Sequence, residues 1–249
     1  MAEQTEFRFS NSVVVAPLLA LLLIWFVFWM ELYFQTNFND LGLYPRRFSG
    51  LQGILFSPFI HGSLEHLYNN TIPLALLLTF LFYFYRGVAL KVLLLGALFS
   101  GLITWGIGRP SYHIGASGII YLLASFIFFK GVFTKYFRLV ALSLVVVFIY
   151  GSLLWYIFPV KDGISWEGHL GGFLSGLALA FFLKSHIPSP KKFAWEHEDY
   201  NEEDDEFLKH FDEDGNFVET IIEEPENENE PLKITYLYKK NSPEGSNPE

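Results

Sequence analysis

Long apolar runs separated by short polar breaks fill the first three quarters of the chain. A helix needs about 20 mostly apolar residues to cross roughly 30 Å of hydrocarbon. Six segments read as such spans, at residues 13–33, 64–85, 88–107, 117–133, 137–158 and 167–183. The pattern predicts an all-α membrane protein, a six-transmembrane-helix bundle over residues 13–185. The first run is too long for the apolar core of a cleaved signal peptide. Its flank also offsets Arg8 with Glu3 and Glu6, so it reads as a retained helix preceded by a short N-terminus, residues 1–12. Residues 34–60 make a long first loop, interrupted by Pro45, Pro58 and several glycines yet rich in aromatics and Leu. Such a loop is expected to lie partly in the membrane interface.

The pattern changes after residue 185. Runs such as Glu202-Glu203-Asp204-Asp205-Glu206 and residues 223–231 cannot bury enough apolar surface to fold alone. Residues 186–249 are therefore expected to be an acidic, largely disordered cytoplasmic tail, within which residues 234–238 have the composition to pair as a strand with a partner. No solenoid-type or inverted repeat is visible.

Charge sharpens this division. Residues 1–185 carry a net +4 and residues 186–249 a net −13, within an overall −9. With the N-terminus inside, nine bases (Arg8, Arg86, Lys91, Lys130, Lys135, Arg138, Lys184, Lys191, Lys192) fall on the inner side and four (Arg46, Arg47, Arg109, Lys161) on the outer. That asymmetry predicts both termini in the cytoplasm. No Arg- and Ser-rich transit segment is seen, which points to a bacterial cytoplasmic membrane. The acidic tail and scattered bases argue against nucleic acid as a partner, and the lipid bilayer is the expected surroundings. Zero Cys excludes disulfides, thiolate metal sites and a Cys nucleophile.

Polar side chains inside spans are expensive, so they mark function. His66, Asn69 and Asn70 lie near the start of the second segment, Ser117 at the start of the fourth and His169 near the start of the sixth. Even-numbered segments all enter from the outer side, which brings Asn70, Ser117 and His169 to one layer. His66 and Asn70 are four apart and share a helix face, as do Ser117 and Tyr121. Gly168, Gly172, Gly176 and Ala180 form a small-residue stripe suited to close helix packing. A Ser beside a His that accepts its proton is the minimum for nucleophilic catalysis. Helix-start N–H groups, His66 and the Asn70 amide would then serve a developing oxyanion, each donor worth roughly 3–4 kcal/mol. Glu167 precedes His169 by two residues and points to another face, while Asp40 and Asp162 are loop residues, so a Ser-His dyad is expected rather than a triad.

Three motifs together resemble the rhomboid intramembrane serine proteases: His61-Gly-Ser-Leu-Glu-His66-Leu-Tyr-Asn-Asn70, Gly115-Ala116-Ser117-Gly118, and His169-Leu-Gly-Gly172 with Gly176. The likeness covers residues 13–183 in the family's order. It implies Ser117 as nucleophile and His169 as general base. His66, Asn70 and the main chain at Ala116-Ser117 would form the oxyanion and substrate-binding set, with Tyr121 packed on the His169 ring. It implies a water-filled cavity opening outward, and single-span membrane protein substrates cut in or beside their transmembrane helix, usually after a small residue. Many members carry a Trp-Arg pair in the first loop, where this chain has Tyr44-Pro45-Arg46-Arg47, so Arg46 or Arg47 is expected to anchor that loop.

Other classes are weaker. A non-catalytic rhomboid-like binder of membrane helices has no need of both Ser117 and His169. A small transporter would be expected to show repeats. An aspartyl intramembrane protease needs two facing carboxylates, and Asp40 and Asp162 are the only Asp residues before the tail. A metal held by His61, His66 and His169 lacks the His-Glu-x-x-His spacing, so no metal or cofactor is expected. His61 reads equally as a loop support or an interfacial polar residue, and His113 as an exposed loop His; His186, His197 and His210 receive no role. Asp212-Glu-Asp214-Gly215 has the wrong spacing for a calcium loop and reads as a solvated turn.

Overall fold

Uninterrupted apolar sequence with few helix breakers gives helices here, because every backbone group in hydrocarbon must be bonded within its own segment. A computed structural model describes residues 9–135, 137–149, 155–161, 163–185, 193–205, 207–212 and 214–218. Its long helices are α1 (Ser12–Phe34), α2 (Leu64–Phe84), α3 (Ala89–Ile107), α4 (Ser117–Phe133), α5 (Phe137–Ile149) and α6 (Trp166–Phe182). The first loop holds the short α-helical turn Gly53–Phe56 and 3-10 turns at Asn39–Leu41, Phe48–Gln52 and Ser57–Phe59, and among the described residues no strand forms beyond two isolated bridges. The helices α1, α2 and α3 are each long and apolar enough to cross a membrane, and α4 is a shorter apolar helix of 17 residues.

Within the fifth expected span, residues 137–158, the described residues form helix α5 over Phe137–Ile149 and a 3-10 turn at Trp155–Ile157, while residues 150–154 lie outside the described residues.

Helix α4 is the centre of the bundle: Ile120, Leu122, Leu123, Phe126 and Ile127 are all buried. It lies closest to α6. A methyl group on Gly172 would stand 2.1 Å from the Gly118 carbonyl oxygen, and one on Gly176 2.3 Å from that of Leu122. The small-residue stripe is therefore a backbone-to-backbone contact. The far end of this pair is closed by Lys130 of α4, buried at 6% exposure, whose Nζ donates to the carbonyls of Ala180 and Leu183. A cation on the last carbonyls of α6 satisfies groups that have no partner within the helix.

The first loop is fastened to α3. Trp105 Nε1 donates to the Arg47 carbonyl at 2.9 Å, Arg46 N–H to the Trp105 carbonyl at 3.1 Å, and Arg46 Nη1 to the Gly106 carbonyl at 3.4 Å. Arg47 stacks its guanidinium 4.3 Å above the Tyr44 ring. Both arginines thus take part in fastening the loop to α3. Leu43 and His113 exchange both backbone hydrogen bonds, which tie this loop to the α3–α4 connection.

The chain divides into two units, Met1–Pro190 and Lys191–Glu249. The second contains 3-10 turns at Ala194–Glu196, Glu202–Asp204 and Leu208–His210. The Asp212 carboxylate accepts from the N–H groups of Asp214 and Asn216 at 3.0 and 2.7 Å, a self-contained turn. Asp162, His186, the acidic run 223–231 and the expected strand 234–238 lie outside the described residues.

Candidate active site

Ser117 and His169 are 52 residues apart in sequence, yet His169 Nε2 lies 2.8 Å from Ser117 Oγ. Their two helices start side by side, and the close approach at Gly172 and Gly118 leaves no room for the side chains to slide past one another. His169 is 6% exposed. Its other nitrogen, Nδ1, lies 2.8 Å from the Tyr156 carbonyl oxygen. A carbonyl only accepts, so Nδ1 must carry the proton and Nε2 must be the free acceptor facing the Ser117 hydroxyl. This is the tautomer a general base needs. A main-chain carbonyl thus does the orienting for which no carboxylate could be found in the sequence. No sequence signal could have identified it, because every residue has a carbonyl.

The Tyr121 ring stacks on the His169 ring with centroids 4.2 Å apart and planes at 13°. This contact fixes the imidazole plane from its side.

Opposite Ser117 stand His66 and Asn70. Gly115 makes their approach possible: its φ is +105°, and a methyl group there would lie 2.6 Å from the His66 ring. Only glycine meets both demands. Asn70 is 4% exposed and its Nδ2 has no hydrogen-bond partner among the described residues. A buried, unpaired amide donor is costly unless something else accepts from it. Ala116, buried, caps α4, and the earliest backbone bonds in this turn run from Ile119 and Ile120 to the Ala116 carbonyl. The N–H groups at the very start of α4 have no carbonyl four residues back within the helix.

These residues border a cavity of about 740 Å³, lined by His66, Asn69, Asn70, Ser117, Tyr121, Tyr156 and His169, with Glu65 also on its wall. The residues from α2, α4 and α6 that share one layer in the sequence reading thus face one space.

His61 is buried at 2% exposure, with its ring edge-on to His66 at 5.0 Å and Nδ1 bonded to the Phe59 carbonyl. Its ring packs against that of His66 inside the protein. Burial, and secondarily the neighbouring His66, pushes its pKa down from 6.5 to about 4.

His113 corrects an expectation: it is 5% exposed, not an exposed loop residue. The Leu43–His113 pairing folds the first loop over it, a contact between distant segments that local sequence does not reveal. Burial pushes its pKa below the usual histidine range. Its Nδ1 meets Ser165 Oγ and its Nε2 the Arg109 carbonyl. Glu167, 1% exposed, pairs with Arg109 at 3.2 Å. The sequence reading set Glu167 aside because it lacks the face of His169. A carboxylate in the first turn of a segment read as a span was itself a signal.

Comparison with known proteins gives a match to the Rhomboid domain over residues 49–186. An uncharacterized protein of Mycobacterium bovis is 37% identical over 158 residues, which cover 58% of this chain and 64% of that protein. One from Mycobacterium leprae is 36% identical over 146 residues, 54% of this chain and 57% of its own length. The chain thus spans less than two thirds of the length of these relatives.

Proposed function

Because the chain belongs to the rhomboid family, an integral membrane family of intramembrane proteases, we propose that it is a serine endopeptidase that cuts the transmembrane segments of single-span membrane proteins. The observation that carries this reading is the 2.8 Å contact between Ser117 Oγ and a His169 ring held in the acceptor tautomer.

In the proposed mechanism the Ser117 oxygen attacks the scissile carbonyl while its proton passes to His169 Nε2. The carbonyl oxygen becomes an oxyanion that takes hydrogen bonds from Asn70 Nδ2, His66 and the main-chain N–H at Ser117. The unpaired state of Asn70 Nδ2 supports this role, since the donor is already desolvated and requires no reorganisation when charge develops. His169 then returns the proton to the leaving amine, and the acyl-enzyme is hydrolysed by water from the cavity with His169 again as base. No metal or cofactor enters these steps.

The substrate helix must unwind locally, because its carbonyls are tied up in its own hydrogen bonds. Helix-weakening residues near the cut are therefore expected. The same reading has six membrane crossings, both termini on the cytoplasmic side and the cavity opening on the outer side. Residues 13–185 would carry the activity, and 186–249 would be a cytoplasmic extension.

The test is cleavage of a panel of single-span reporters in liposomes by wild type, Ser117→Ala and His169→Ala, together with labelling by a serine-directed phosphonate. Cleavage and labelling at Ser117 in wild type, lost in both variants, are expected. Cleavage that persists in Ser117→Ala sinks the assignment, and a wild type that binds reporters without cutting or labelling identifies a helix-binding protein instead.

A further inference from the structure

Just upstream of both reactive residues lies a polar cluster that the reaction itself does not use. Arg109 N–H donates to Glu167 Oε1 at 3.0 Å, Arg109 Nε forms an ion pair with the same oxygen at 3.2 Å, and Arg109 Nη2 donates to the Ile164 carbonyl. His113 Nε2 lies 3.2 Å from the Arg109 carbonyl, which only accepts, so Nε2 carries the proton. His113 Nδ1 is then an acceptor, and the Ser165 hydroxyl donates to it while accepting from Gly168 N–H at 3.3 Å. Every hydrogen in this set has one consistent place.

The cluster joins two segments at chosen points. Ser117 follows His113 by four residues, and His169 follows Ser165 by four and Glu167 by two. Ser165 is also the N-cap of α6, and Glu167 sits in its first turn. The cluster therefore bridges the α3–α4 connection and the first turn of α6, one turn before each reactive side chain. Glu167 is the one buried carboxylate among the described residues, and its Oε2 has no hydrogen-bond partner there. The Glu167 side chain is 1% exposed while that of Arg109 is 41% exposed, and a pair whose cation is partly solvated is a weak source of stability, so its use here asks for a directional role. Glu167 cannot orient the His169 ring, because His169 Nδ1 is already bonded to the Tyr156 carbonyl.

We propose that Arg109 and Glu167, with His113 and Ser165, are positioning residues that set the register between the starts of α4 and α6 and so the reach from Ser117 to His169. The inference rests on the protease reading above. A misplacement of about 1 Å between reacting groups lowers rates on the order of 100-fold. A latch of this kind acts on the chemical step and leaves the substrate-binding wall of the cavity intact.

Glu167→Ala, Glu167→Gln and Arg109→Gln separate these possibilities, each measured in detergent for kcat, KM, the rate of phosphonate labelling at Ser117 and the thermal midpoint. The expected result is a fall in kcat and labelling rate of roughly 10- to 100-fold in Glu167→Ala, with KM within about twofold of wild type. Glu167→Gln, whose amide oxygen still accepts from Arg109 N–H, recovers most of the loss. Unchanged kcat, a rise in KM alone, or a loss with no recovery in Glu167→Gln overturns the latch. If Glu167→Ala does not fold, Arg109→Gln, which keeps the main-chain N–H and removes only the guanidinium, is expected to lower kcat and labelling rate in the same direction but less, and no change in either overturns the proposal. Histidine ¹⁵N spectra give a readout independent of activity: the His169 Nε2 resonance moves in the latch variants as the Ser117 contact lengthens, and an unmoved resonance overturns the proposal. A wild type that is not labelled counts against the protease reading alone, and the spectra then decide the latch.

Discussion

Replacing Gly172 by Ala adds one methyl group at the tightest point between α4 and α6. The added carbon would stand 2.1 Å from the Gly118 carbonyl oxygen and 3.1 Å from its carbon, and backbone atoms cannot swing aside as a flexible side chain would. Real contacts of this kind are not shorter than 3.0 Å, so the helices must separate by most of an ångström or tilt about this point. Gly172 is three residues past His169, and Gly118 directly follows Ser117, so the separation acts on the 2.8 Å contact itself. Overpacking of this size costs about 1–3 kcal/mol of stability. The accompanying displacement of His169 lowers kcat on the order of 100-fold. Gly106→Ala in α3 is the matched control, because a methyl group there meets no atom within 4 Å. In a helix that change is neutral or stabilising by roughly 0.5–1 kcal/mol. Reporter cleavage and thermal unfolding in detergent, run side by side on both variants, make the comparison. If Gly172→Ala keeps wild-type kcat and midpoint, the argument that backbone contact sets the reactive geometry is wrong.

Two further predictions concern stability. Lys130→Met leaves the Ala180 and Leu183 carbonyls without their donor and should lower stability by about 1–3 kcal/mol. Lys130 is at the other end of α4 from Ser117, so phosphonate labelling of the folded fraction should not change, and a slowed labelling rate would contradict the capping role. His61 introduces acid sensitivity. Its pKa is about 4 when folded against 6.5 when unfolded, so the unfolded chain binds the proton more readily. Stability from this group is intact above pH 6.5, is lost as the pH falls through the interval, and reaches a deficit of about 3 kcal/mol below pH 4. The slope of thermal midpoint against pH over that interval should flatten in His61→Gln, and an unchanged slope would assign the acid sensitivity to other groups.

That the core is helical and apolar was legible in the sequence, as was the start of each of the six long helices to within a residue. Polar residues in such segments are rare, so His66, Asn70, Ser117 and His169 were legible as a set, and Tyr121 by its spacing from Ser117. Tertiary structure alone decided how those residues are tuned. The tautomer of His169 depends on the Tyr156 carbonyl, a group common to all residues and therefore silent in any motif. His113 is buried only because a loop some 70 residues upstream lies over it, and Glu167 finds Arg109 only once α3 and α6 are side by side. Apolar periodicity reports the preference of each segment for lipid or water. It carries nothing about which hydrogen-bonding groups meet across the bundle, because those meetings are set by helix separations of a few tenths of an ångström at glycines.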